Sequence, residues 1–282
     1  MNSMIKLGIS VNMFDGYEML EMNLRFVKPF ATHLSIVYQE VSNNGFVFND
    51  KIKDVIKHLK ANKLVDTAIL YKPNDQITLQ QNECEKRNIG LRLAKENDCT
   101  HFLTMDADEL YLPALFEQVI EDKGEKDVYF SRIRSYYKYP EVFYDEDPKF
   151  LVPFITKIKD KEYNGSNPRK HLLDATRILP YETSTILKGV MHHFSYIRTL
   201  DFYSKFNSGT NYKNAQRYYN VLKEAYSNFS SIKSKALVLK NWSHVEEVET
   251  DYTSTIAKLL NEYDWDGAKG IYTKRSLRQS LR

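Results

Sequence analysis

The sequence predicts an α/β fold built on a twisted, mostly parallel sheet, and three observations lead there. Over residues 1–110 short β-type runs alternate with helical patterns, the order that gives parallel strands joined by crossover helices. The chain has 282 residues, 42% of them hydrophobic and 13% aromatic, enough for a sizeable core. It holds only 10 Gly and 8 Pro, which excludes collagen-like, low-complexity and linker-dominated chains.

Each element has its own signal. Ile5 to Val11 and Leu34 to Gln39 read as the first two strands. A helix over 50–61 has Asp50 near its cap and puts Ile52, Val55, Ile56 and Leu59 on one face. Leu64 to Tyr71 is the third strand, and Gln76 to Asn97 a helix or helix pair with Cys84, Ile89, Leu91, Leu93 and Ala94 inward. His101 to Met105 is the fourth strand, and it ends in acid. The pattern then loosens: a helix near Pro113 to Glu121, strands near Val128 to Ser131 and Phe154 to Ile158, and a Tyr-rich stretch from Tyr136 to Tyr144. Beyond His193 the chain reads helical, with Tyr212, Ala215, Tyr219, Leu222 and Tyr226 along one stripe over 211–229.

Composition narrows the class further. No apolar run approaches the roughly 20 residues that span a bilayer, and the first 16 residues lack the basic-then-apolar order of a signal peptide, so the expected location is cytoplasmic. Cys84 and Cys99 are too few for a disulfide framework and read as buried thiols. The net charge is only +3, but it is spread in blocks. Residues 186–245 hold nine Lys/Arg and two acids, 246–266 one Lys and seven acids, and 267–282 five Lys/Arg and no acid.

The most informative string is His101-Phe-Leu-Thr-Met-Asp106-Ala-Asp108-Glu109. In an open parallel sheet ligands sit outside the carboxyl ends of the strands, and here three carboxylates stand at that edge. Asp106 and Asp108 can present oxygens to one hard cation, Mg²⁺ or Mn²⁺, whose remaining positions substrate phosphates fill. The plainer account is that these acids cap the following helix or face water.

The stretch Glu85-Lys-Arg87-Asn88-Ile-Gly90, followed by Asp106-Ala-Asp108-Glu109, resembles the Arg-Asn-x-Gly helix and DxD strand end of family 2-like glycosyltransferases of the GT-A fold, in a subgroup with a DxDE string. His192-His193-Phe194-Ser195-Tyr196-Ile197-Arg198, then Ser204-Lys205-Phe-Asn207-Ser208, resembles the HxSxxR segment that closes the donor site in such enzymes. The resemblance spans about residues 4–210. It implies a Rossmann-like twisted mixed sheet flanked by helices over 1–210, with nucleotide-sugar binding in 1–111 and the acceptor side in 112–210. A helical C-terminal appendage would occupy 211–282.

It also implies roles. Asp106, Asp108 and a distant histidine, His193 or else His192, would hold the metal. Arg198 and Lys205 would reach the leaving phosphates. Arg87 and Asn88 would lie near the donor, Val11 and Asn12 would line the base, and Gln39 or Glu40 would meet base or ribose. The string Gln39-Glu40-Val-Ser42 departs from the acidic string usual after the second strand, which leaves the nucleoside open. Inverting transfer needs a carboxylate base within reach of the acceptor hydroxyl. Glu141, Asp145, Glu146, Asp147 and Asp174 lie in the expected region, and Asp174 and Asp145 are the choices.

The expected activity is therefore metal-dependent transfer of a hexose from a nucleoside diphosphate sugar, UDP-linked, to a hydroxyl. The acceptor is a lipid-linked or surface glycan, with the basic C-terminal half touching an anionic surface, or DNA bearing hydroxymethylated or already glucosylated bases. Basic residues interleaved with Tyr196, Tyr203, Tyr212, Tyr218, Tyr219 and Tyr226 suit either, although such a stripe also reads as a core face. Two other classes compete. A haloacid dehalogenase-type phosphatase also carries Asp-x-Asp after a hydrophobic strand, but needs Thr or Val where Leu110 stands. A non-catalytic binding protein on the same scaffold would have no use for the acid cluster.

Overall fold

The computed structural model describes residues 5–47, 51–165, 174–198, 205–206, 212–230, 235–240, 244–251, 262–266 and 271–274. One nine-stranded sheet organises it, in the order β3-β2-β1-β4-β8-β6-β9-β5, with β7 beside β6. The strands are β1 (Leu7–Met13), β2 (His33–Tyr38), β3 (Thr67–Leu70), β4 (His101–Asp106), β5 (Glu109–Leu110), β6 (Val128–Tyr137), β7 (Tyr139–Asp145), β8 (Val152–Lys157) and β9 (Ser184–Tyr196). The first four are parallel neighbours, as the alternating pattern predicts. From β8 onward the sheet becomes mixed: β8 runs antiparallel to β4 and β6, β9 parallel to β6, and β5 antiparallel to β9.

The helices α1 (Leu20–Val27), α2 (Lys51–Ala61), α3 (Leu79–Glu96) and α4 (Pro113–Glu121) flank the sheet. On one face Leu7, Ile9, Val11 and Met13 of β1 join Leu34, Ile36, Leu103 and Met105 and the apolar stripe of α2 in the main core. Asp50, the expected cap of that helix, lies outside the described residues. On the other face α3 lies almost against the backbone of β1. A Cβ on Gly90 would come within 2.2 Å of Ser10 Oγ, and one on Gly8 within 2.4 Å of Ala94 Cβ. Small residues at these crossings let the helix carry its polar residues down to the sheet rim. Its start is set by a reciprocal cap: Thr78 Oγ1 accepts from Gln81 N at 3.1 Å, and Gln81 Oε1 accepts from Thr78 N at 2.8 Å.

Beyond residue 211 the helix Tyr212–Asn228 forms as expected, but two hairpins accompany it: β10 (Lys235–Lys240) with β11 (His244–Glu249), and β12 (Tyr263–Asp266) with β13 (Ile271–Lys274). Leu222 is buried with Phe206, Tyr219 stacks edge-on to Phe206, and Tyr226 packs edge-on to Tyr137. The described part of the tyrosine stripe is thus a core face, not a stacking platform. Cys84 and Cys99 are buried free thiols, and burial pushes the Cys84 thiol up to about 11. No described helix is long and apolar enough to cross a membrane.

Candidate active site

In the strand order 3-2-1-4 the chain reverses its direction of travel across the sheet between β1 and β4, and a crevice opens outside their carboxyl ends. Asn12 pairs with Asp106 in register at that edge. Beyond Asp106 the chain turns at Ala107 and Asp108 and re-enters the sheet at β5, where Glu109 pairs with His193 of β9. Three acids within four residues are thereby divided between two arginines, Asp106 and Glu109 meeting Arg177 and Asp108 meeting Arg198.

Asp106 goes to arginine. Its Oδ2 lies 2.5 Å from Arg177 Nη2 and its Oδ1 3.3 Å from Arg87 Nη2. Glu109, 2% exposed, accepts from Arg177 at 2.6 and 2.8 Å and from the Asp106 backbone N–H at 3.0 Å. Asp174 accepts from Arg177 Nε at 3.0 Å and from both the backbone N–H and hydroxyl of Thr176. Burial alone would raise all three carboxyls. The two guanidiniums overcome it and hold Asp106 and Asp174 below the usual carboxylate range, whereas Glu109 stays raised by burial and by the Asp106 charge.

Asp108 faces the other way. Its Oδ2 lies 3.3 Å from Arg198 Nη2 and 3.8 Å from His193 Nε2. Arg198 is buried, 3.7 Å from Glu18 and 3.9 Å from Asp15 in the turn after β1, and among the described residues its Nε and Nη1 have no hydrogen-bond acceptor. Gly16, at φ +67°, makes room for that guanidinium: a Cβ there would stand 2.7 Å from Arg198 Nη1 and 3.1 Å from Asp108 Cβ. Lys205 is buried beside them, donating to Ser195 Oγ and lying 4.5 Å from the centre of the Tyr196 ring. Burial and the Arg198 charge push its ammonium down to about 8 against the pull of Asp108, Asp15 and Glu146.

The structure brings together Asp106, Asp108, Arg87, Arg198, Lys205 and His193 from the sequence-predicted set, and moves several others away. His192 points through the opposite face of β9 from His193, as neighbours on a strand must. Its Nδ1 is hydrogen-bonded to Tyr136 Oη at 2.7 Å, so it is no metal ligand beside His193. Asp106, expected to share the cation with Asp108, has both oxygens on guanidiniums. Asn88 is a clamp: it donates to Tyr163 O at 2.9 Å and accepts from Tyr163 N at 2.7 Å, imitating a strand pair. Val11 lies in the main core and lines no base site with its side chain. Asn12 reaches Thr104 Oγ1 at 3.3 Å, with its own Oδ1 buried and unpartnered among the described residues. Gln39 is buried and spends its amide on Val41 O and Asn43 Oδ1, and Glu40 lies 3.4 Å from Lys53. Asp174 is saturated by its cap and by Arg177. Asp145 forms a forked pair with Arg134 at 2.6 and 3.0 Å on the His192 side of the sheet. Each is thus engaged by an arginine, Asp174 by Arg177 and Asp145 by Arg134. Tyr203, Ser204, Asn207 and Ser208 lie outside the described residues.

Sequence reasoning missed Arg177, Asp15, Glu18 and Gly16. The Gly16 turn directly after a strand carried a usable signal, and Arg177 carried none. Among the described residues no three His, Cys, Asp or Glu side chains converge to hold a metal. Asp108 and His193, 3.8 Å apart, offer one oxygen and one imidazole nitrogen, a mixed pair that would suit Mn²⁺ better than Mg²⁺, with phosphate oxygens to complete the shell. A cleft of about 390 Å³ opens at the carboxyl ends of β2 and β3, where Glu40, Ser42, Asn43, Tyr71, Pro73 and Asn74 line it. That is the lower range for a small-molecule site.

Fold and rim together define an open α/β protein with an ionic crevice at its switch point. No family model matches the chain, and no curated protein matches it. Among solved structures it is similar to S. aureus TarS, with a TM-score of 0.47 at 12% identity, covering 82% of this chain and 45% of TarS. TarS 1-349 in complex with UDP-GlcNAc gives a TM-score of 0.47 at 13% identity over 71% of this chain and 61% of that one. TarS 1-349 gives 0.46 at 12% over 81% and 76%. The chain thus spans about 45% of the length of the first of these structures.

Proposed function

We propose that this chain is a glycosyltransferase that moves a hexose from a nucleoside diphosphate sugar, UDP-linked, to a hydroxyl of a glycan. The observation that carries the reading is the crevice at the β1/β4 switch point, where Asp108 and His193 face each other beside the buried cations Arg198 and Lys205. A departing diphosphate accumulates negative charge, and fixed cations in a water-poor site stabilise such charge most. Arg198 has two N–H-bearing nitrogens without acceptors among the described residues, and oxygens of a diphosphate would satisfy them. Mn²⁺ or Mg²⁺, held by Asp108 and His193, would supply further neutralisation of the phosphate oxygens.

The remaining groups prepare the donor's place. The cleft beyond β2 and β3 has the size and mixed lining of a nucleoside site, with Tyr71 offering a face for the base. Asp106, whose side chain is 36% exposed although pinned by two arginines, is a rigid acceptor for sugar hydroxyls at the rim. A phosphatase of the haloacid dehalogenase type would need Asp106 free to attack phosphorus, and both its oxygens are engaged by guanidiniums. A DNA acceptor loses its main support, since the described tyrosines of the C-terminal helix pack inward.

The test is a thermal-shift and hydrolysis screen of UDP-, GDP- and CDP-sugars with and without Mn²⁺. Stabilisation and slow release of the nucleoside diphosphate from a UDP-sugar, strengthened by Mn²⁺, is the expected result. Silence across the panel, with turnover of p-nitrophenyl phosphate instead, would overturn the reading.

A further inference from the structure

The cleft at the carboxyl ends of β2 and β3 has two walls, the loop after β2 that carries Asn43 and the segment after β3 that carries Tyr71 and Asn74. Both are fastened to the first turns of α3, by two adjacent residues. Asn82 holds the second wall. Its Oδ1 accepts from Tyr71 Oη at 2.6 Å and from Asn74 N at 2.8 Å, and its Nδ2 donates to Asn74 O and Thr78 O, so the whole amide is spent. Glu83 holds the first wall. Its Oε1 accepts from Asn43 Nδ2 at 2.6 Å, and Asn43 Oδ1 in turn accepts from Gln39 Nε2 at 2.8 Å. The same Oε1 accepts from Lys86 Nζ at 2.9 Å, one turn along the helix. Lys86 is buried, and a carboxylate pinned by a buried ammonium is a stiff anchor. The loop is also closed on itself: Val41 pairs with Val47, and Ser42 Oγ accepts from the N–H groups of Asn44 and Phe46. Such a loop keeps its own shape, and its distance from the opposite wall is set by where it is tied down.

We propose, building on the glycosyltransferase reading, that Glu83 is a positioning residue for the donor's nucleoside. It acts from behind the wall: Asn43 lines the cleft and Glu83 does not. By holding Asn43 in place it fixes the width of the cleft before the donor arrives. Binding of the nucleoside then spends none of its free energy on ordering the loop. The diphosphate end of the donor, which lies at the rim beside Arg198 and Lys205, gains nothing from this bond, so the effect of Glu83 falls on the nucleoside end alone.

The experiment is titration calorimetry on the full chain in Mg²⁺, comparing UDP with pyrophosphate, which has only the rim to occupy. Glu83→Ala deletes the acceptor and Asn43→Asp sets two carboxylates against each other. Each weakens UDP by about tenfold or more and pyrophosphate by no more than about twofold, as loss of one charge-assisted hydrogen bond remote from the phosphates requires. Glu83→Gln keeps an acceptor for Asn43 and stays within about threefold of wild type. The double exchange of Asn43→Asp with Glu83→Gln restores the pair with donor and acceptor reversed and returns UDP affinity to within about threefold of wild type. UDP affinity within about twofold of wild type in both Glu83→Ala and Asn43→Asp, equal weakening of pyrophosphate, or a double variant no better than Asn43→Asp overturns the positioning role and leaves the transferase reading intact. A wild type that binds no UDP overturns both.

Discussion

Arg177 and Glu109 meet across 68 residues of chain in a two-pronged pair, with Arg177 Nη1 and Nη2 at 2.8 and 2.6 Å from the carboxylate oxygens. Both side chains are almost completely buried, at 4% and 3% exposure. The same guanidinium reaches Asp106 and Asp174, so a single residue from the segment after β8 pairs with three acids, and Arg87 adds a second positive charge beside two of them. The acid-rich rim can exist in a folded protein because Arg177 and Arg87 sit under it and Arg198 meets Asp108.

Removing Arg177 leaves buried negative charge. Arg177→Met is expected to destabilise the fold by about 3–5 kcal/mol, the usual cost of stranding one partner of a buried pair. Combining it with Glu109→Gln should return part of the loss. Urea denaturation of the two single variants and the double variant measures the coupling.

Asp106 and Asp108 should separate stability from activity. Asp106→Asn removes the partner of two buried guanidiniums and lowers the melting temperature. Asp108→Asn leaves Arg198 with Asp15 and Glu18, so the fold persists while most donor turnover is lost. Equal activity of Asp108→Asn and wild type, with the same response to Mn²⁺, would contradict the assignment of the cation site.

Lys205 gives the donor site a pH dependence. Its folded value of about 8 lies below that of an ordinary lysine, and diphosphate binding calls for the charged form. Affinity for UDP is therefore full below that value and weakens as pH rises through it. Lys205→Met binds more weakly at pH 7 and shows a flatter profile between pH 7 and 9. Titration calorimetry across that interval reads both effects.

His101 predicts a loss of stability in mild acid. It is buried between Thr100 Oγ1 at 2.9 Å and Gly124 O at 3.0 Å, and burial lowers its basicity below the ordinary 6.5. Below that ordinary value the unfolded chain binds a proton that the folded chain resists, so stability falls as pH drops from 6.5 toward the folded value. His33, lowered for the same reason, adds to the slope. His101→Gln should be less acid-sensitive than the wild type in denaturation at pH 7 and pH 5.

Two glycines are expected to tolerate no side chain. Gly90→Ala would press a methyl group onto Ser10 at the α3–β1 crossing, an overpacking cost of about 1–3 kcal/mol. Gly16→Ala adds left-handed backbone strain and pushes on Arg198, so it should weaken UDP binding as well as lower the melting temperature. The two are told apart by binding normalised to the folded fraction.

The first half of the fold was legible because β1, β2 and β4 are buried on both faces and its helices carry apolar stripes, signals that lie within a few residues of each other. The position of Asp106 and Asp108 at the crevice followed from the strand before them. Partner choice did not follow. Whether Asp106 meets a metal or an arginine depends on Arg177, which enters from a remote and irregular segment. Whether Asp145 or Glu146 shares the face of His193 depends on the register of β6 against β7 and β9, a pairing with no local periodicity. The two hairpins after residue 230 are short and polar on one side, which hid them within a helical reading.

The clasp between β13 and α1 bears on how the protein is made. The backbone N–H of Lys274 donates to Glu21 Oε1 at 3.2 Å, and Glu21 also holds His58 of α2 at 2.7 Å. A helix that leaves the ribosome among the first segments must wait some 250 residues for the strand that covers it. Nascent chains stalled before that strand should remain protease-sensitive around α1 and lean on chaperones until synthesis passes it.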